Sequence, residues 1–182
     1  TETAHVSMAK DGIVLASYLN ELQKDHGSFL QPAILRLSKD TGIELKEIDA
    51  IAVTGGPGSY TGLRVGLASA KGLCYALGKP LIMLNSLEVL AVTAFSSPSE
   101  QSLDRSTLFC PMIDARRMEV FTALYNHQLE IVLAPSALIL DPSSFKEQLS
   151  RTRIVFFGRG ATNGEAVCKV LKSLFKSVTM LQ

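Results

Sequence analysis

The sequence has almost no excess charge of either sign: lysine and arginine number 18 against 17 aspartate and glutamate, a formal net charge of +1. That balance argues against a large nucleic-acid-binding face, which needs clustered basic residues in excess; it leaves room for a local basic patch. Cysteine is scarce and odd in number. Cys74, Cys110 and Cys168 lie too far apart for a paired metal-ligand motif, and each sits in an apolar stretch. That is the pattern of reduced, buried thiols in a cytosolic protein. No apolar run reaches the roughly 20 residues of a membrane-spanning helix. The opening TETAHVSMA has neither the basic nor the apolar region of a signal peptide. It also lacks an initiating methionine, so residues are expected before Thr1. There is no repeat of fixed period and no low-complexity tail.

What is present is an ordinary globular composition, 47% hydrophobic and 19% charged, in 182 residues. A chain of that length buries one good-sized core or two small ones. AHVSMAKDGIVLASYL reads as a hairpin turning at Lys10, Asp11 and Gly12. Leu30, Ala33, Ile34 and Leu37 recur at helical spacing, with Gly42 as the stop and Pro32 either delaying or bending the helix. IDAIAVTGG reads as a buried strand, Thr61 to Leu77 as a helix despite three glycines, KPLIMLN as a strand and SLEVLAVTAF as a helix. Strand alternating with helix predicts an α/β layer with parallel pairing.

The polar SSPSEQSLDRS, Ser96 to Ser106, is the candidate linker, dividing residues 1–98 from residues 99–182. Beyond it TLFCPMIDARRMEVFTALYN reads as strand, turn, strand, with a further strand around Ile131 to Leu133. SSFKEQL and TNGEAVCKVLKSLF read as short helices flanking the strand RIVFF. Asp114, Arg116, Arg117 and Glu119 read as a salt-bridged hairpin end, the alternative being contact with a nucleic acid or a nucleotide. Lys169, Lys172 and Lys176 read as a solvated helix face.

The glycine-rich stretch GGPGSYTGLRVGLASAKG, Gly55 to Gly72, falls at a strand-to-helix junction. From Gly58 it lacks the Lys-Ser or Lys-Thr of a Walker loop. Gly56, Gly58 and Gly62 have the wrong last interval for a dinucleotide fingerprint. A loop-to-helix anion site near Ser59 to Gly62 stays open on physical grounds. The G-x-S-x-G nucleophile elbow is absent, and His5, His26 and His127 show no orienting carboxylate that proposes a triad. The helix has an apolar face (Leu63, Leu67, Ala70, Cys74, Leu77), a small-residue face (Gly62, Gly66, Ser69, Leu73, Ala76) and a third face (Arg64, Ala68, Lys71, Tyr75). Such a helix touches its own sheet and a second close-packed element, in the same fold or in a partner.

TETAHVSMAKDG, IDAIAVTGGPGSYTGLRVGLASAKGLCYALGKPLIMLNSLEVLA and MIDARRMEVFTALY together closely resemble the bacterial TsaB family, also called YeaZ. The resemblance is strong from the first residues to about Tyr125 and looser beyond. It implies the ribonuclease-H-like α/β fold of the actin-like, sugar-kinase and Hsp70 (ASKHA) superfamily, in two subdomains. The implied role is a non-catalytic, cytoplasmic subunit needed to form threonylcarbamoyladenosine at position 37 of tRNAs that read codons beginning with A. It would scaffold the catalytic TsaD subunit, with the ATPase TsaE joining them and tRNA engaged only in the assembled complex. It would form a homodimer when alone and have no membrane association.

The helices around Leu30–Leu37 and Thr61–Leu77 match the pair that family members use for TsaD or for self-association. On them Phe29, Leu30, Ile34, Leu63 and Leu67 are the implied apolar anchors, Arg64 and Lys71 the polar flank, and Gly66 the point of close helix approach. The catalytic relatives carry metal-binding histidines at the positions of Ser86 and Leu90, so no catalytic, cofactor or metal residues are expected here. Asn85 and Ser86 instead suit turn and N-cap roles. The superfamily's first strand, with an acidic residue, would lie just before Thr1, and its returning C-terminal segment beyond Gln182. The alternative function is a nucleotide-binding hydrolase or a peptidase of the same superfamily.

Overall fold

The computed structural model describes residues 3–21, 26–96, 104–141, 143–162 and 178–180. The helix expected at TNGEAVCKVLKSLF, with Cys168, Lys169, Lys172 and Lys176, lies outside the described residues except at its first position, as does most of the Ser96–Ser106 linker. The chain forms two compact units, Thr1–Leu84 and Asn85–Gln182.

In the first unit β1 (Ala4–Lys10) and β2 (Ile13–Asn20) pair antiparallel. Asp11 and Gly12 both take positive φ, 52° and 78°, the geometry a two-residue hairpin loop requires. Helix α1 (His26–Thr41) runs through Pro32 and buries Ala33 and Leu37 on the predicted stripe. Thr41 Oγ1 donates to the Leu37 carbonyl at 2.7 Å, and Gly42 at φ 69° turns the chain out of the helix. β3 (Ile51–Gly56) leads through the glycine-rich turn into α2 (Tyr60–Leu77), then β4 (Leu81–Asn85). Ser59 caps α2, its Oγ accepting the Gly62 N–H at 3.5 Å, and Gly78 in the left-handed region closes it. The unit holds two two-stranded sheets, β1–β2 and β3–β4. α1 packs on β1 and β2, α2 on β3, and the helices lie against each other.

The second unit is built on a five-stranded mixed sheet in the order β7-β6-β5-β8-β9. Its strands are β5 (Leu108–Arg116), β6 (Glu119–Tyr125), β7 (Ile131–Ile139), β8 (Ile154–Phe157) and β9 (Val178–Met180). β5, β6 and β7 run antiparallel in sequence, while β8 is parallel to both β5 and β9. β7 is an edge strand and carries Pro135 at its centre. One face buries Cys110, Met112, Leu124, Ile154 and Phe156 beneath Leu140 and Phe145. The other buries Phe109, Ala123, Tyr125 and Val155 beneath Leu87 and Ala91 of α3 (Ser86–Phe95). The short helices α4 (Lys146–Arg151) and α5 (Arg159–Thr162) complete the described part of the unit.

That burial moves the division between the units. The polar stretch after residue 96 suggested a boundary at 98; instead the boundary precedes α3. Leu87 and Ala91 are completely buried in the second unit's core, so α3 belongs to that core. A polar linker marks exposed backbone, whereas core membership follows apolar burial, and here the two differ by one helix.

Candidate functional site

The faces of α2 are resolved by what each residue meets. Leu63 packs over the turn, its Cδ1 3.3 Å from where a Cβ on Gly56 would sit. A Cβ on Gly66 would stand 3.7 Å from Val53 Cγ2 of β3, an ordinary van der Waals contact. Ala70 is buried. Gly66 therefore faces β3, where a Cβ would make an ordinary contact. Gly72 is different: nothing lies within 4 Å of its Cβ position. The outer face carries Thr61, Arg64, Ala68, Lys71, Gly72, Tyr75 and Ala76, all exposed.

α1 and α2 are joined by a hydrogen bond from Gln31 Nε2 to Ser69 Oγ at 3.1 Å. The structure thus brings the two predicted helices side by side. Phe29, Leu30 and Ile34 of α1, and Leu63 and Leu67 of α2, are half-buried, while Arg64 and Lys71 are exposed on the outer face. Tyr60 was not singled out from sequence, and Tyr75 was placed only on the third face of the helix. Tyr60 is 73% exposed and Tyr75 93% exposed, which makes them the largest apolar surfaces beside Arg64 and Lys71. Arg64 Nη1 donates to Tyr60 Oη at 2.7 Å, and its guanidinium lies 5.1 Å from the ring centroid. The i, i+4 spacing of tyrosine and arginine was the signal that could have found this pair.

On the other side of α1, Tyr18 Oη donates to the Asp40 carboxylate, and Arg36 stacks 4.7 Å over the Tyr18 ring. The hydrogen bond to Asp40 raises the Tyr18 phenol above its ordinary range. This trio clips α1 to β2.

The positions where the catalytic relatives are expected to carry metal-binding histidines are occupied differently. Ser86 is buried at the start of α3 and Leu90 packs against the apolar cluster of Phe109 and Tyr125. Asn85 caps α3, its Oδ1 accepting the Leu87 N–H at 2.8 Å. Among the described residues, no three His, Cys, Asp or Glu side chains converge as metal ligands would. His127 is held between Phe95 and Phe109, with ring centroids 5.5 and 5.2 Å away. Its Nε2 lies 2.7 Å from the Asp104 carbonyl. Cys110 is fully buried, and burial pushes its thiol up to about 12, which leaves it unreactive.

The charged hairpin end differs from its sequence reading. Among the described residues no ion pair joins Asp114 or Glu119 to Arg116 or Arg117; Asp114 Oδ1 instead accepts the Arg116 backbone N–H at 2.7 Å. Arg116, Arg117 and Met118 take φ of 71°, 53° and 65°, three successive non-glycine residues in the left-handed region. Each such residue costs roughly 1–2 kcal/mol. The register slips at Asp114/Arg116, and the Leu140 N–H donates to the Met118 carbonyl at 2.8 Å, which holds the turn.

The fold as a whole matches a solved protein from Pseudomonas aeruginosa described as having similarity to peptidase YeaZ. The TM-score is 0.76 over 100% of this chain and 79% of that one, at 25% identity. The family model for TsaD, tRNA N6-adenosine threonylcarbamoyltransferase, matches residues 14–139. The chain therefore belongs to the TsaD family, in its TsaB (YeaZ) branch. Among relatives, the Bacillus subtilis tRNA threonylcarbamoyladenosine biosynthesis protein TsaB is 34% identical over 69% of this chain and 52% of its own length. A tRNA N6-adenosine threonylcarbamoyltransferase of Bartonella bacilliformis is 55% identical over a shorter stretch, 38% of this chain and 19% of its own length. The chain spans about half the length of the TsaB relative. No helix among the described residues is long and apolar enough to cross a membrane.

Proposed function

We propose that this chain is the non-catalytic partner of a TsaD-type threonylcarbamoyltransferase in forming threonylcarbamoyladenosine on tRNA, and that it binds that partner through the outer surface of α1 and α2. The ribonuclease-H-like, ASKHA arrangement belongs to the same reading, as does the three-way assembly with a TsaE-like ATPase and with tRNA. The observation that carries it is the α2 outer face: Arg64, Lys71, Tyr60 and Tyr75 stand exposed around the small residues Ala68, Gly72 and Ala76. Arginine and tyrosine around a flat, small-residue floor give anchors at the rim and allow another helix close to the backbone. The buried Ser86 and the core-packed Leu90 favour a supporting over a catalytic role, since neither supplies a metal ligand. When the partner is absent the same surface pairs with a second copy about a two-fold axis.

The test is complex formation with a TsaD-type protein. Wild-type chain forms a stable complex at micromolar concentration, and Ala68→Arg on the outer face weakens it by at least about tenfold with an unchanged melting curve. Absence of a wild-type complex overturns the function. A folded Ala68→Arg variant that binds like wild type overturns the surface. Gly66, facing β3, is unsuited to that test.

A further inference from the structure

We propose that the β5–β6 hairpin tip and the sheet surface beside it form a second docking surface, in the second unit, for an acidic, apolar segment of a partner protein. The tip places Arg116 and Arg117 in solvent, and neither side chain has an ion-pair or hydrogen-bond partner among the described residues. Asp114, also exposed, turns one carboxylate oxygen to the tip's own backbone, and Glu119 is half-buried, while both guanidiniums stand exposed.

Beside them the surface is apolar. Met118 is 43% exposed, and the Leu140–Met118 hydrogen bond brings the end of β7 to the tip. Ile139, 67% exposed, stands opposite Glu119, and Phe121 stands opposite Ala137 on the same sheet face. This is the face that α3 covers over β5 and β6 nearer the sheet centre. Methionine, isoleucine and phenylalanine next to unpaired arginines make the composition of a protein interface core with a basic rim.

A phosphate backbone would use the two guanidiniums but would gain nothing from Met118, Ile139 and Phe121. A peptide bearing carboxylates between apolar side chains uses both. The Leu140–Met118 hydrogen bond holds the backbone of the tip before any partner arrives, so what binding must order there is the two arginine side chains.

The full chain is titrated with short labelled peptides of alternating Leu and Glu, with matched peptides of alternating Leu and Lys, and with single-stranded oligouridine. The Leu-Glu peptide binds at least about tenfold tighter than the Leu-Lys peptide, and Arg116→Glu combined with Arg117→Glu reverses the order. If that variant melts early, Arg116→Gln with Arg117→Gln, which removes the charge but keeps a polar side chain, abolishes the preference. Equal binding of the two peptides, no binding of either, or a preference untouched by both variants overturns the proposal. Oligouridine binding tighter than the Leu-Glu peptide and lost in the same variants also overturns it, in favour of RNA.

Discussion

Single positions in this chain differ sharply in how much change they tolerate. Gly158 has φ 88°, and a Cβ there would fall 2.6 Å from the Met112 carbonyl oxygen, so both backbone and space forbid a side chain. Gly72 sits inside α2 with nothing near its Cβ position. In urea unfolding, Gly158→Ala costs more than about 1 kcal/mol, and Gly72→Ala adds up to about 1 kcal/mol. A similar contrast applies to Cys110. Burial holds its thiol protonated up to about 12, well above the ordinary thiol value of roughly 8.5. The folded state keeps a proton that the unfolded chain releases. The corresponding stability is therefore complete below about pH 8.5 and is lost as pH rises toward 12, at about 1.4 kcal/mol per unit. Cys110→Ala should lack that slope; Tyr125, raised by burial and then by Glu88, contributes a slope of the same sign that the variant retains. Iodoacetamide leaves Cys110 unmodified in the native protein and labels it once urea is added, as read by mass spectrometry.

At the level of elements, legibility in the sequence followed the strength of local physics. The first hairpin was readable because Asp11-Gly12 sits between two alternating runs, and α1 because Leu30, Ala33, Ile34 and Leu37 mark one stripe. The glycine-rich signature also pointed correctly to a strand, a turn and a helix. Which side of α2 faced the sheet was not readable. Two of its faces are apolar or small, so periodicity left the choice to tertiary contact, and Gly66 fell on the inner side. The β5–β6 turn was misread for another reason. Oppositely charged residues in sequence proximity suggest ion pairs, but with Arg116–Met118 in the left-handed region neither arginine pairs with Asp114 or Glu119. That conformation comes from the register slip and the Leu140–Met118 bond, which are long-range facts.

For the whole molecule, assignment of α3 to the second unit has a measurable consequence. Leu87 has no exposed surface and packs with Phe109, Ala123 and Tyr125. Leu87→Ala therefore costs about 2–5 kcal/mol of the second unit's stability. Hydrogen exchange locates the loss: protection falls in β5, β6 and β8 and is kept in β3. Equal loss in β3 would join the first unit to that core. The edge strand β7 carries a further consequence, one of solubility. IVLAPSALI is nine residues without a charge, with Ile131, Val132 and Ile139 open to water. Such an edge invites copies of itself to add strand upon strand into fibrils. Pro135, in mid-strand, offers no N–H to an incoming chain, so a growing ladder would lack a bond at its centre, which counts against stacking on this apolar rim.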